Sequence, residues 1–234
     1  MIYDSVFVSD VHLGTDRCNS EKFLSFLKNL RTKKLVLVGD ILDFYCLEKY
    51  KTNWTRNHTS CVHELIKLMN RGTQIVYVVG NHDATLRRYT DFQYQNFSMV
   101  NEYTHIDSLG RRFLCVHGDE QSRYSSGAWR QLVFNKGYEF ISPLHQFLKK
   151  TFGFSLIRYL QNLKRAKRYI NSYSQDLINY CKSKDDNYSG IICGHIHYSQ
   201  IKLVDELYYM CCGDFCDTCT CITERSGIFE THRY

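Results

Sequence analysis

The chain has 234 residues, 44% of them apolar and 23% charged, with 13 glycines and one proline. This balance excludes a disordered or collagen-like chain, and no run approaches the ~18 uninterrupted apolar residues of a membrane-spanning helix. The net charge is +6, and the opening MIYDSVFVSD has neither the basic start nor the apolar stretch of a secretion signal. A globular, cytoplasmic protein is expected.

Ile2–Ser9 is predicted as the first strand. Phe23, Phe26, Leu27 and Leu30 then follow the i, i+3, i+4, i+7 spacing of a helix, with Ser20 as its N-cap. Leu35–Val38 is the second strand, and Val62, Leu65, Ile66 and Met69 repeat the helical spacing up to Gly72. Ile75–Val79 is the third strand. Several of these strands are continuously apolar, as expected where both faces are covered. The opening therefore reads β-α-β-α-β, an α/β layered fold.

A strand at Arg112–Val116 follows, and three more are predicted at Gly190–Cys193, Leu207–Cys212 and Thr218–Ile222. Between the first two of these lies a helical stripe of Leu156, Leu160, Leu163, Ala166, Ile170, Tyr173 and Leu177. No linker or repeat interrupts the chain. One domain over residues 1–234 is expected, with a helical insertion, read as a lid, at about residues 121–183.

Charge is concentrated on that insertion. Phe140 to Gln175 holds no acidic residue but carries Lys149, Lys150, Arg158, Lys164, Arg165, Lys167 and Arg168, which leaves the remainder of the chain near neutral. Such a segment is either a solvated surface helix or one that meets phosphates of a substrate or an anionic membrane. Nucleic acid is disfavoured, because the charges sit on one insert rather than along a groove. The 11 cysteines are odd in number and lack an export signal, so reduced buried thiols are expected. The cluster Cys211, Cys212, Cys216, Cys219 and Cys221 has one CxxC but no second spaced pair, which argues against structural zinc.

Nearly every apolar strand ends in a polar signature. VFVSDVHLG delivers Asp10 and His12, LVLVGDILD delivers Asp40 and Asp43, and IVYVVGNHD delivers Asn81, His82 and Asp83. FLCVHGD gives His117 and Asp119, and GIICGHIH gives His195 and His197. Ligands of open α/β sheets bind beyond the carboxyl ends of strands, so the five endings converge on one rim. Imidazoles mixed with carboxylates suit zinc, iron or manganese rather than calcium. His82 can reach phosphoryl oxygens or protonate a leaving group, with Asp83 setting its tautomer, and these two are the candidate catalytic residues. Asp43 and Asp119 are read as partners that orient the ligands.

In this order, DxH, GDxxD, GNHD, HG and GHxH resemble the calcineurin-like metallophosphoesterase superfamily, over residues 2 to about 222. The resemblance implies an α/β sandwich of two mixed β-sheets flanked by helices, with two divalent metal ions at one edge. Manganese is the expected metal, with iron or zinc as alternatives. Carried onto this chain, Asp10, His12, Asp40 and His197 would hold one ion and Asp40, Asn81, His117 and His195 the other. Candidate substrate contacts are Asn81, His82 and His195, joined by Lys164, Arg165 and Arg168 of the insertion. SDVHLG, the length and the basic insert before GHxH are similar to the UDP-2,3-diacylglucosamine diphosphatases of lipid A synthesis, although GNHD stands where that family carries GNRD. A hydrolase of a pyrophosphate in a nucleotide-linked lipid is therefore expected, with peripheral contact on the cytoplasmic face of an inner membrane. The alternatives are a phosphomonoesterase or phosphodiesterase for small esters or nucleotides, and a non-catalytic scaffold. The presence of every expected ligand argues against the scaffold.

Overall fold

The computed structural model describes residues 2–121, 164–185 and 187–234. Among these, one sheet runs in the order β12-β11-β1-β2-β3-β5-β4. Its members are β1 (Tyr3–Val8), β2 (Thr32–Val38), β3 (Gln74–Val78), β4 (Gln93–Tyr94), β5 (Phe97–Val100), β11 (Thr220–Arg225) and β12 (Ile228–Arg233). The other sheet has the order β6-β7-β8-β10-β9. It contains β6 (Tyr103–Ile106), β7 (Arg112–Cys115), β8 (Tyr188–Cys193), β9 (Gln200–Val204) and β10 (Leu207–Cys211). Both sheets are mixed: β1, β2, β3 and β5 run parallel, as do β7, β8 and β10, while antiparallel strands close the edges.

Alternation along the strands explains the unbroken apolar runs. Phe7, Val36, Val38, Val76 and Val78 of the first sheet pack with Phe113, Cys115, Ile192 and Met210 of the second, forming the layer between the sheets. Their neighbours Val6, Val8, Leu35, Leu37, Ile75 and Tyr77 face the other way. There they meet Phe23, Phe26 and Leu27 of α1 (Ser20–Asn29) and Cys61 and Leu68 of α3 (Arg56–Asn70). Each large side chain fully buried in this way contributes about 1.5–3 kcal/mol. The outer face of the second sheet is covered by α4 (Lys164–Lys184), through Tyr173, Leu177, Ile178 and Cys181. Of the predicted stripe, Ile170, Tyr173 and Leu177 are thus buried, Ala166 is half-buried, and Leu156, Leu160 and Leu163 lie outside the described residues.

Several local expectations are corrected. The N-cap of α1 is Asn19, whose side chain accepts from Lys22 N at 3.3 Å, and Ser20 is the first helical residue. Thr55 caps α3 through a capping box with His58. The short α2 (Phe44–Tyr50) and strands β4, β5, β6, β9 and β12 had no clear signal in the sequence. The last predicted strand begins two residues later than expected, at Thr220. None of the eleven cysteines is in a disulfide, and all but Cys18 are buried.

Glu224 ties the ends of the two sheets together. Its Oε1 accepts from Ser108 N, Ser108 Oγ and Gly227 N at 3.2, 2.9 and 3.2 Å, and its Oε2 lies 3.6 Å from His105 Nε2. Burial opposes its ionisation, but His105 beside Oε2 and the hydrogen bonds from Ser108 and Gly227 win and hold the carboxyl down at about 2. A depressed carboxylate stabilises the fold above its unfolded value near 4.5, and that contribution disappears as pH falls towards 2. Glu224→Gln is therefore expected to cost on the order of 2–3 kcal/mol at pH 7 and to flatten the acid limb of a Tm-against-pH curve. Parallel curves for the two proteins would contradict this role.

Candidate metal centre

The polar strand endings meet at one rim. Asp10, His12, Asp40, His195 and His197 all sit in the left-handed region, with φ of 53°, 54°, 54°, 72° and 51°. Side chains other than glycine rarely adopt this conformation, and such strain gathers at functional sites. Two glycines make room for the cluster. A Cβ on Gly80 would lie 2.3 Å from Asp40 Oδ1, and one on Gly39, itself at φ +80°, would lie 2.3 Å from His117 Nδ1.

Asp40 stands at the middle. Its Oδ2 is 3.2 Å from His117 Nε2 and 3.9 Å from His12 Nε2, while Oδ1 accepts from His82 N at 2.8 Å. Asp10 lies beside it, with Oδ1 3.3 Å from His197 Nε2 and Oδ2 accepting from His195 N at 3.0 Å. One donor atom each from Asp10, Asp40 and His117 falls within 4.8 Å of the others. His195 Nδ1 and Asn81 Oδ1 are 3.0 Å apart and complete the group. The structure thus brings all seven candidate ligands together.

Three buried atoms of this group, Asp10 Oδ1, His12 Nε2 and His117 Nε2, make no hydrogen bond. Buried polar atoms are normally satisfied, so atoms aimed at one another in this way fit a site that takes a cation. The donor set, imidazole with carboxylate and amide oxygen, fits a divalent transition metal. Supporting contacts aim the rings. His117 Nδ1 donates to Val38 O at 3.0 Å and His12 Nδ1 lies 2.8 Å from Asp43 Oδ2, which turns each Nε2 inward.

Electrostatics follow from this crowding. Burial opposes ionisation of Asp40, but the charges of His117, His82 and His12 overcome it and hold the carboxyl well below its usual range. Burial, reinforced by the charge of Asp40, raises Asp10. His195 is pushed down to about 4 by burial and by the charge on His117, and His197 falls for the same first reason. Both shifts favour the neutral imidazole, the form that ligates metals.

The structure reassigns the residues around His82. Its Nδ1 lies 3.0 Å from Asp43 Oδ1, so Asp43 orients this ring as well as His12. Asp43 also caps α2, accepting from Cys46 N at 2.8 Å. Asp83 does not touch the His82 ring in any described contact. It is buried, accepting from Gly80 N at 2.5 Å, Ile41 N at 3.0 Å and Tyr77 OH at 2.6 Å. It pins the two loops that carry Asp40 and Asn81. Asp83→Ala strands three buried donors, at about 1–3 kcal/mol each before relaxation. Its Tm is expected to fall by roughly 5–10 °C, and Tyr77→Phe, losing one bond, by about a third of that. An unchanged Tm for Asp83→Ala would contradict the pinning role.

Asp119 accepts from Arg87 at 3.0 Å, and Arg87 also pairs with Glu120. Arg168 is exposed on α4. Lys164 and Arg165 open α4, with side chains outside the described set. Two neighbours of the site were not foreseen. Tyr173 stacks on His195 with ring centres 6.1 Å apart and reaches Gly194 O at 3.4 Å. Its position in an apolar stripe marked it only as core. Tyr45 meets His82 edge-on at 5.5 Å, from a helix too short to announce itself.

A model of the calcineurin-like phosphoesterase family matches residues 5–199. The curated UDP-2,3-diacylglucosamine hydrolase of Neisseria gonorrhoeae is 29% identical over 120 residues, covering 49% of this chain and 48% of the relative. The protein of the same description from Cellvibrio japonicus is 28% identical over 141 residues, covering 58% and 57%. The chain spans about half the length of the curated relatives it matches. A solved archaeal phosphodiesterase superposes with a TM-score of 0.51 at 12% identity, over 98% of this chain and 99% of that one, a likeness of fold. All seven residues of the rim fall within the matched span, and the chain belongs to the calcineurin-like phosphoesterase family.

Proposed function

We propose that this chain is a divalent-metal-dependent phosphoesterase that cleaves the pyrophosphate of UDP-2,3-diacylglucosamine or a similar nucleotide-linked lipid. One observation carries the metal dependence: buried, unsatisfied Asp10, His12 and His117 atoms are gathered around Asp40. Asp10, His12, Asp40 and His197 would hold one cation, and Asp40, Asn81, His117 and His195 a second. The chemistry such cations would supply there is neutralisation of phosphoryl charge and activation of water. Manganese, iron and zinc all suit the donor set.

The chain's own residues then position the substrate. Burial works against a proton on His82, but hydrogen bonds to Asp43 and Cys46 and the charge of Asp40 overcome it and raise the ring to about 11. A charged imidazole at the rim is placed to bind phosphoryl oxygens, and a ring that holds its proton this firmly is a weak general acid. Asp43 fixes that ring, and Asn81 is set by His195.

The substrate class is supported by the names of the curated relatives. Exposed Lys167 and Arg168 on α4 support contact with phosphate or an anionic bilayer. No helix among the described residues is long and apolar enough to cross a membrane. A second reading, hydrolysis of small phosphate esters, is favoured by the burial of Tyr173 and Leu177, which removes these positions from any acyl-binding face. The two readings separate in one experiment. Changing Lys164, Arg165 and Arg168 together to Gln is expected to weaken binding to anionic vesicles by about 1 kcal/mol per charge and to raise KM for an acylated nucleotide-sugar. Hydrolysis of nitrophenyl phosphate should barely change. Equal effects on both substrates would favour the small-ester reading.

A further inference from the structure

Cys216 stands apart from the other cysteines between 211 and 221. It is 8% exposed, and its Sγ lies within 4.8 Å of a ring nitrogen of both His12 and His197. A firmly built loop puts it there. The Asp214 carboxylate accepts from Cys216 N at 2.8 Å, from Thr218 N at 3.0 Å, from Thr218 Oγ1 at 2.9 Å and from Asp217 N. Phe215 N donates to Asp10 O at 3.1 Å, and Cys216 Sγ is 3.7 and 3.8 Å from the carbonyl oxygens of Asp10 and Val11. The loop is thus fastened to the segment that delivers Asp10 and His12. A second observation points to a ligand: His12 Nε2 in this same triad is buried and makes no hydrogen bond.

We infer that Cys216 is a thiolate ligand to the cation held by His12 and His197, so that this half of the centre selects zinc or ferrous iron over manganese. The inference rests on the metal centre proposed above. On binding, the S–H bond breaks, a sulfur–metal bond forms, and the proton passes to water with no change of oxidation state. Thiolate is a soft donor, favoured by zinc and iron and poorly suited to manganese, which prefers oxygen. With Asp10 and Asp40 the donors become one thiolate, two imidazoles and two carboxylates, each a donor type that zinc accepts.

The test uses the full chain, stripped of metal and reloaded with cobalt(II), whose bond to thiolate gives an intense charge-transfer absorption in the near ultraviolet. The wild type and Cys18→Ser, which changes the half-buried thiol outside the site, should both show the band. Cys216→Ser and Cys216→Ala should lose it while cobalt remains bound, read by elemental analysis. In competition, both Cys216 variants should lose about 10–100-fold of the preference for zinc over manganese. A fully loaded wild type without the band, or a band that survives both Cys216 substitutions, overturns the inference and leaves the metal centre standing. A wild type that binds no cobalt, zinc or manganese overturns the centre itself.

Discussion

Asp40→Ala is expected to reduce hydrolysis to background and to lower bound metal well below two equivalents, the largest effect of any single substitution in this chain. Asp40 reaches towards both His117 and His12, at 3.2 and 3.9 Å from one carboxylate oxygen, while its other oxygen accepts the His82 N–H. Its loss therefore removes a donor from both halves of the centre and releases the loop carrying Asn81 and His82. It also strips His117 of a buried partner, and breaking a buried pair costs about 3–5 kcal/mol. Asp40→Asn separates these effects, because the amide keeps the shape and an acceptor for the His82 N–H but not the charge. It should recover part of the Tm lost in Asp40→Ala, through the kept shape and acceptor, while metal and activity still fall. Two tightly bound metals in Asp40→Asn would show that Asp40 is not shared.

The second large effect is expected at His82. His82→Ala should keep both metals, because no donor of the proposed set is removed, and lower kcat by roughly 10²–10³-fold, the scale for loss of one preorganised donor to a developing charge. Asp43 holds the ring at 3.0 Å and the site keeps it charged. The loss should therefore be similar for nitrophenyl and alkyl leaving groups. A loss confined to poor leaving groups would make His82 a general acid instead. His82→Arg restores a fixed cation and should recover part of the activity, more on a pyrophosphate than on a monoester.

Much of this arrangement was legible in the sequence, for identifiable reasons. Apolar runs such as Val6–Val8 and Leu35–Val38 are covered on both faces, so the strands stand out without alternation. The residues that carry chemistry follow these runs directly, so the end of each run marks them. What escaped was set by contacts remote in sequence. Asp83 adjoins His82 and was read as its partner, yet the chain turns Asp83 inward to Gly80 and Ile41, and Asp43 takes its place. Tyr173 follows helical spacing and reads as core, and its stacking on His195 depends on how α4 crosses the second sheet. The edge strands β9 and β12 are half exposed and mixed in polarity, so their pairing with β10 and β11 supplies what their composition does not.

The most direct test strips the protein with a chelator and follows UMP release from an acylated UDP-glucosamine, beside phosphate release from nitrophenyl phosphate, as divalent metal is titrated back. A two-cation centre at the rim predicts no hydrolysis in the stripped protein and activity that saturates at two equivalents bound. Hydrolysis that survives complete removal of metal, or two bound equivalents with no cleavage of any phosphate ester, would contradict it.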